Sequence, residues 1–237
     1  YGYKTFTLYD ISGKKVIEDP LIQVPESPGL QSDLETVIGQ KKVVLSDLYL
    51  DPTTSTVLMD LYIPIHEPYG VINDVIAVFD LRIDPNQTLY PIIMEWPIPT
   101  DTGETALFRV DGKSVTYLNA LRFQPFSALK LRFPLDTPDL TVAVVAQGNT
   151  EIHQGVDYRG HEVIYTGRAI PGTNWFLLSK MDKDEVFTEV RRQGAILAVI
   201  LTSVFISVIS VGQSLFERQR RFYGEEVHYL QNEREQI

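Results

Sequence analysis

Between Gln193 and Phe216 the chain carries no charged residue, and the run from Gly194 to Gly212 is almost wholly apolar or small. At a rise of about 1.5 Å per residue, roughly 20 residues cross a hydrocarbon core of about 30 Å, so this run predicts a membrane-spanning helix over about residues 194–215. A buried core helix is a poor alternative, because such helices are rarely apolar around their whole circumference for so long. Upstream the period shortens to two. The segments 57–65, 75–84, 163–171 and 175–182 are rich in β-branched and aromatic residues, are interrupted by Pro and Gly, and predict strands. Helical spacing is sparser. It appears over 31–39, ended by Gly39, at 126–132, and from Asp182 onward, where early acidic and later basic residues suit a helix running into the membrane.

Two hairpin patterns recur at one offset. Leu8-Tyr-Asp-Ile-Ser-Gly-Lys-Lys-Val16 matches Leu107-Phe-Arg-Val-Asp-Gly-Lys-Ser-Val115, each an apolar strand, a Ser-Gly or Asp-Gly turn and a second strand. The glycine supplies the positive φ that a tight turn requires. The later strand pairs repeat as well, the first pair connected through Gly70 and the second through Gly172, which predicts a duplicated module. Between the halves, residues 89–103 carry Pro91, Pro97 and Pro99, which break any regular element and mark a packed strap. The predicted class is α+β: two tandem antiparallel-sheet modules over 1–88 and 104–183, a helix over 184–216 and a helical stub over 217–237.

Composition narrows the function. A formal charge of −10 argues against a nucleic-acid surface, which needs Lys and Arg against phosphate. Cysteine is absent, so disulfides and thiolate metal sites are excluded, and a bacterial extracytoplasmic domain fits better than a eukaryotic secreted one. Orientation is not settled by charge. Lys180, Lys183, Arg191 and Arg192 flank the span on one side, and Arg218, Arg220, Arg221 and Arg234 on the other.

Four scattered histidines, His66, His153, His161 and His228, have no metal-ligand spacing, and no nucleotide or nucleophile motif is present. The expectation is a non-catalytic chain without cofactor or metal. Three pairs of residues two apart, Asp47 with Tyr49, Asp60 with Tyr62 and Asp80 with Arg82, each project from one face of a strand. If that face is inward, they converge on a ligand. If it is outward, they are ordinary surface positions, and the alternation of half-exposed sheets favours this second reading. A second polar group, Asn119, Arg122, Asp157, Tyr158 and Arg159, suits the tying of loop backbone better than ligand contact. Past the span, Phe216, Tyr223, Leu230 and Ile237, with Val227 between, form a heptad stripe through which two copies would meet as a coiled coil. Arg220 and Arg234 at core positions fit an exposed charged helix nearly as well.

The hairpin modules, followed by Asp157-Tyr-Arg-Gly160, Ile170-Pro-Gly-Thr-Asn-Trp175 and Lys180-Met-Asp-Lys-Asp-Glu185 ahead of a membrane helix, resemble double Cache sensor domains. These are tandem PAS-like modules on the outer face of bacterial sensor kinases, diguanylate cyclases and chemoreceptors. The strap from Leu89 to Pro97, the run Gly103-Glu-Thr105 and the patch Leu118-Asn-Ala-Leu-Arg122 look like a subgroup that precedes cytoplasmic PAS, kinase or cyclase domains. The resemblance implies an inner-membrane receptor with residues 1 to about 192 outside and 217–237 inside, a homodimer, and a first membrane helix and long helix ahead of residue 1. It also implies a small-molecule ligand or periplasmic binding protein engaged by the membrane-distal module. The amino-acid signature of some Cache domains is not recognisable. The reading from another class is a membrane-tethered structural or dimerisation module that binds no small ligand.

Overall fold

The computed structural model describes residues 2–22, 25–68 and 74–234, which fall into two compact units, 1–183 and 184–237. The first unit opens with a hairpin of β1 (Tyr3–Asp10) and β2 (Lys15–Glu18). Its turn forms because the Asp10 carboxylate accepts from the Ser12 and Lys14 amides at 2.8 and 3.0 Å while Gly13 sits at φ 81°. Next come α1 (Leu30–Gln40), β3 (Val44–Leu45), β4 (Tyr49–Leu50), β5 (Val57–His66) and β6 (Val75–Ile83). A short helix, α2 (Leu89–Met94), leads to the second hairpin, β7 (Glu104–Asp111) and β8 (Ser114–Tyr117), turned at Gly112 with φ 63°. There follow β9 (Arg132–Pro134), α3 (Thr141–Ala146), β10 (His153–Val156), β11 (Glu162–Ala169) and β12 (Trp175–Asp182).

These strands make two antiparallel sheets of like design. The first runs β2-β1-β6-β5-β3 with β4 also on β5, and the second runs β10-β11-β12-β7-β8-β9. In each, the opening hairpin lies beside the last strand of its module, so the repeat in the sequence is a repeat of topology. Three cores result. Tyr9, Leu34, Val37, Tyr62, Val75 and Val78 pack between the first sheet and α1. Ala106, Phe108, Tyr117, Val142, Val145 and Leu178 pack between the second sheet and α3. The middle core draws Leu48, Val57 and Met59 from the first half, Tyr90 from α2, and Leu107, Leu118 and Trp175 from the second half.

Three details depart from the sequence reading. Residues 89–94 are helical despite Pro91, because Pro91 lies in the first turn, where backbone N–H groups lack helical partners. The strap is nevertheless packed: Tyr90 is buried and donates its hydroxyl to the Leu118 carbonyl at 2.6 Å. The expected helix at 126–132 is a series of turns, with Phe126 exposed, Leu129 at φ 56° and Ser127 bonded to the Leu121 amide. Finally, α1 continues through Gly39 and ends where Lys41 adopts the left-handed conformation. The connection through Gly70 lies outside the described residues.

The second unit is helical, formed by α4 (Lys183–Arg234). Its stretch from Lys183 to Arg218 is long and apolar enough to cross a membrane, with a window of mean hydropathy 2.5. Thr202, Ser203 and Ser207 return their hydroxyls to carbonyls of the preceding turn, so these three polar groups are satisfied within the helix. The backbone from Phe216 through Tyr223, Val227 and Leu230 is helical, as the heptad stripe requires, and Ile237 lies outside the described residues.

The Tyr90 tether gives a stability test. Tyr90→Phe strands the buried Leu118 carbonyl and is expected to cost about 1–2 kcal/mol in chemical denaturation of the full chain. Pro91→Ala, which changes no bonded group, should fall within about 0.5 kcal/mol of wild type.

Candidate functional site

Strand alternation places Thr5, Thr7 and Tyr9 of β1, Asp60 and Tyr62 of β5, and Asp80 and Arg82 of β6 on one face of the first sheet. Registration turns them into rows: Thr5, Arg82 and Asp60 lie side by side, and so do Thr7, Asp80 and Tyr62. This face is inward. The α1 side chains Leu34 and Val37 pack over part of it, and the segment before α1 reaches it through the Pro25 carbonyl, which accepts from Arg82 Nη1 at 2.6 Å, and Ser27 Oγ, which lies 2.9 Å from the Tyr62 hydroxyl. The surface reading favoured by strand alternation is therefore wrong for Asp60, Tyr62, Asp80 and Arg82, none of which is more than 3% exposed.

At the centre, Arg82 Nε and Nη2 hold the two Asp60 oxygens at 2.7 and 3.1 Å. Tyr49 donates to Asp60 Oδ2 at 2.8 Å, Tyr62 to the same oxygen at 3.4 Å, and the Asp60 amide donates to Ser46 Oγ at 2.7 Å. The hydrogen bond and charge of Asp60 raise the Arg82 guanidinium further above its ordinary range even though burial works the other way. Asp80 is different. Its Oδ1 is buried without a hydrogen-bond partner. Burial and the neighbouring Asp60 charge push its carboxyl up to about 7, against the opposing pull of Arg82 and Lys15. Burial, then the Asp60 and Asp47 charges, also raise Asp33 of α1, and the phenols of Tyr9, Tyr49 and Tyr62 all lie above their ordinary range, chiefly through burial.

Asp47 does not join this group. It is exposed and ties the two halves together: Oδ1 accepts from Trp175 Nε1 at 2.7 Å, and Oδ2 accepts from Asn174 at 3.3 Å and pairs with Arg109 at 2.8 Å. A cleft of about 670 Å³ opens beside it, lined by Thr36, Gln40, residues 43–47 and residues 172–175. Sequence reasoning missed Tyr9, Ser27, Asp33 and Ser46. The alternation Thr5-Phe-Thr-Leu-Tyr9, running beside Asp80 and Arg82 in register, was the available signal for the first of them.

The second polar group is built differently. Asn119 is buried, accepts from the Leu107 amide at 2.7 Å and donates to the Thr105 and Ala120 carbonyls at 3.1 and 3.0 Å, the loop-tying geometry its residue type suggested. Arg122 reaches the Thr100 carbonyl at 3.0 Å, and its amide bonds to Glu104. Asp157 accepts from Lys180 and Arg159 at 2.7 Å each, and Tyr158 donates to both Glu104 oxygens at 3.1 Å. Burial opposes ionisation of Asp157, but Lys180 and Arg159 together hold its carboxyl below the ordinary range. Glu104 and Lys180, 2.6 Å apart and both buried, are the members that sequence reasoning did not single out. Their positions on facing strands become evident only from the register of β7 and β12. Among the described residues, no group of three His, Cys, Asp or Glu is placed to hold a metal ion.

The same arrangement of sheets occurs in known sensor domains. The ligand-binding domain of the Pseudomonas aeruginosa PAO1 amino acid chemoreceptor PctB, in complex with L-Arg, superposes with TM-score 0.51 at 14% identity over 78% of this chain and 74% of its own. That of the Pseudomonas fluorescens chemoreceptor CtaA, in complex with L-alanine, gives 0.51 at 17% over 78% and 75%. The ligand binding domain of Mlp24 with asparagine gives 0.53 at 14% over 80% and 72%. No family model matches the sequence, and no curated protein does. The chain thus has the fold of chemoreceptor ligand-binding domains, a Cache-type sensor fold of two antiparallel sheets, followed by one helix able to span a membrane.

Two substitutions probe the site. Arg82→Met leaves Asp60 charged and buried, and is expected to cost about 3–5 kcal/mol of stability, measured by chemical denaturation of the full chain in detergent. For Asp80, a carboxyl raised to about 7 binds its proton more tightly folded than unfolded, so its contribution to stability is whole near pH 4 and is lost as pH rises through 7. Asp80→Asn should flatten that slope, leaving the variant equal to wild type near pH 4 and the more stable of the two at pH 8. The gap should grow by about 1.4 kcal/mol for each pH unit over which the folded carboxyl keeps a proton that the unfolded one has released.

Proposed function

We propose that this chain is the extracytoplasmic ligand-sensing and signalling module of a bacterial transmembrane receptor. Residues 1–88 form the membrane-distal sensing module and 104–183 the proximal one, with 1 to about 192 outside the inner membrane and 217–237 in the cytoplasm. The observation that carries the reading is Asp80, a buried carboxylate with an unpaired oxygen on the inward face of the distal sheet. Folded proteins rarely bury an unpaired charge for stability, since several kcal/mol would be gained by replacing it. A site that keeps one is prepared for a partner from outside the chain. Solved domains of this fold hold L-Arg, L-alanine and asparagine, which supports a small-molecule ligand here.

Binding acts on signalling by favouring one of two conformations of the sensing unit, to the extent of its differential affinity. Two copies pair through the heptad stripe after the span, and the output is a cytoplasmic histidine kinase or diguanylate cyclase. The full chain in lipid nanodiscs, screened by thermal shift against amino acids, amines, organic acids and purines, should respond to one chemical class. Stabilisation should follow RT ln(1 + [L]/Kd), about 2.7 kcal/mol at 100 times Kd. Silence across all four classes, with the signalling output of a fused kinase unaltered in Asp60→Ala and Tyr62→Ala, would favour the structural, dimer-forming role instead.

A further inference from the structure

The charges around Asp80 do not balance, and the imbalance has a sign. Among the described residues the surrounding groups are Tyr9 from β1, Lys15 from β2, Glu26 and Ser27 from the segment before α1, Asp33 from α1, Asp60 and Tyr62 from β5, and Arg82 from β6, with Tyr49 of β4 joined to them through Asp60. Lys15 lies 3.6 Å from both Glu18 and Glu26 and is partly exposed, so its charge is already met. Arg82 is mainly committed to Asp60. Nε and Nη2 grip Asp60, Nη1 binds the Pro25 carbonyl, and the guanidinium lies 5.7 Å from the Tyr49 ring centre. Among the described residues, Asp33 and Asp80 are left without a cation in contact.

This has two consequences for a ligand. A carboxylate entering the site would need a guanidinium fork, and the Nε and Nη2 fork of Arg82 already grips Asp60 while Nη1 serves the Pro25 carbonyl. It would also meet three carboxylates, Asp33, Asp60 and Asp80. An ammonium group meets the opposite situation. It supplies N–H donors to the unpaired Asp80 oxygen, cancels charge that the fold leaves uncompensated, and finds phenol rings at Tyr9 and Tyr62 that favour a cation.

Resting on the sensing role proposed above, we propose that the ligand is a small organic amine without a carboxylate group, its ammonium held by Asp80. In this the chain differs from the solved neighbours, whose ligands carry both groups. The raised Asp80 carboxyl adds a dependence on pH. Because proton and ammonium compete for one oxygen, amine affinity falls as pH drops below about 7, by up to tenfold per pH unit.

The test uses matched pairs that differ only in the carboxylate: tyramine with L-tyrosine, histamine with L-histidine, putrescine with L-ornithine and ethanolamine with L-serine. Succinate and adenine serve as an acid and a neutral base. Binding to the full chain in nanodiscs is measured by calorimetry at pH 6 and pH 8. At least one amine should bind, at least tenfold tighter than its parent amino acid and several-fold tighter at pH 8 than at pH 6. Asp80→Asn should weaken it at least tenfold and remove the pH effect. Asp33→Asn should weaken it several-fold, and carries the test where Asp80→Asn does not fold. An amino acid that binds as well as its amine, or binding by succinate or adenine alone, overturns the amine assignment and leaves the sensing role standing. If none of these compounds binds and the four-class screen is also silent, both fall.

Discussion

The paired contacts of Arg82 with Asp60 organise the first sheet module. Burying one carboxylate beneath α1 is tolerable only because a guanidinium on the neighbouring strand grips both of its oxygens, while Tyr49 and Tyr62 donate to one of them. The same guanidinium reaches the Pro25 carbonyl, which ties the segment ahead of α1 to the sheet. Ser46 closes the other side by accepting from the Asp60 amide. Strand register, the helix entry and a short edge segment thus meet at one ion pair, and that pair takes the Nε and Nη2 fork of Arg82.

Asp80 gains its character from what that pair consumes. It lies two residues before Arg82 on the same inward face of β6, yet the arginine turns its fork to Asp60 and Nη1 to Pro25, and none of these bonds reaches Asp80. The second module shows the contrasting outcome. There Lys180 meets Glu104 and Asp157, and Arg159 meets Asp157 and Asp182, so the charges of this cluster are paired with one another. Two sheets of like topology therefore bury polar residues differently: the second pairs its charges across loops and strand ends, and the first leaves the Asp80 Oδ1 without a partner. Asp47, which the strand pattern groups with the carboxylates of the first sheet, instead links the halves through Trp175 and Arg109.

Much of the architecture was legible because it depends on local chemistry. The hairpins at Gly13 and Gly112, the long strands β5, β6, β11 and β12, and the helix after Asp182 all follow from turn residues, side-chain period and length. What escaped was either short or locally ambiguous. The strands β3 and β4 have two residues each, too few for any period to show. The run Thr141-Val-Ala-Val-Val-Ala146 is β-branched enough to read as a strand, but it forms α3, with Thr141, Val142, Ala143 and Val145 buried against the second sheet.

The candidate site divides along the same line. Spacing alone determined that Asp60 shares a face with Tyr62 and Asp80 with Arg82, because successive side chains on a strand alternate whatever surrounds them. It also determined the membrane-length helix, since an uncharged run of that length has few other stable settings. Which face of the sheet is covered is invisible to a period of two, which reads the same with the sheet turned over. Only the packing of α1 and the segment at Pro25 and Ser27 decided that the carboxylates point inward, and only strand register decided that Arg82 would neutralise Asp60 and leave Asp80 without a partner.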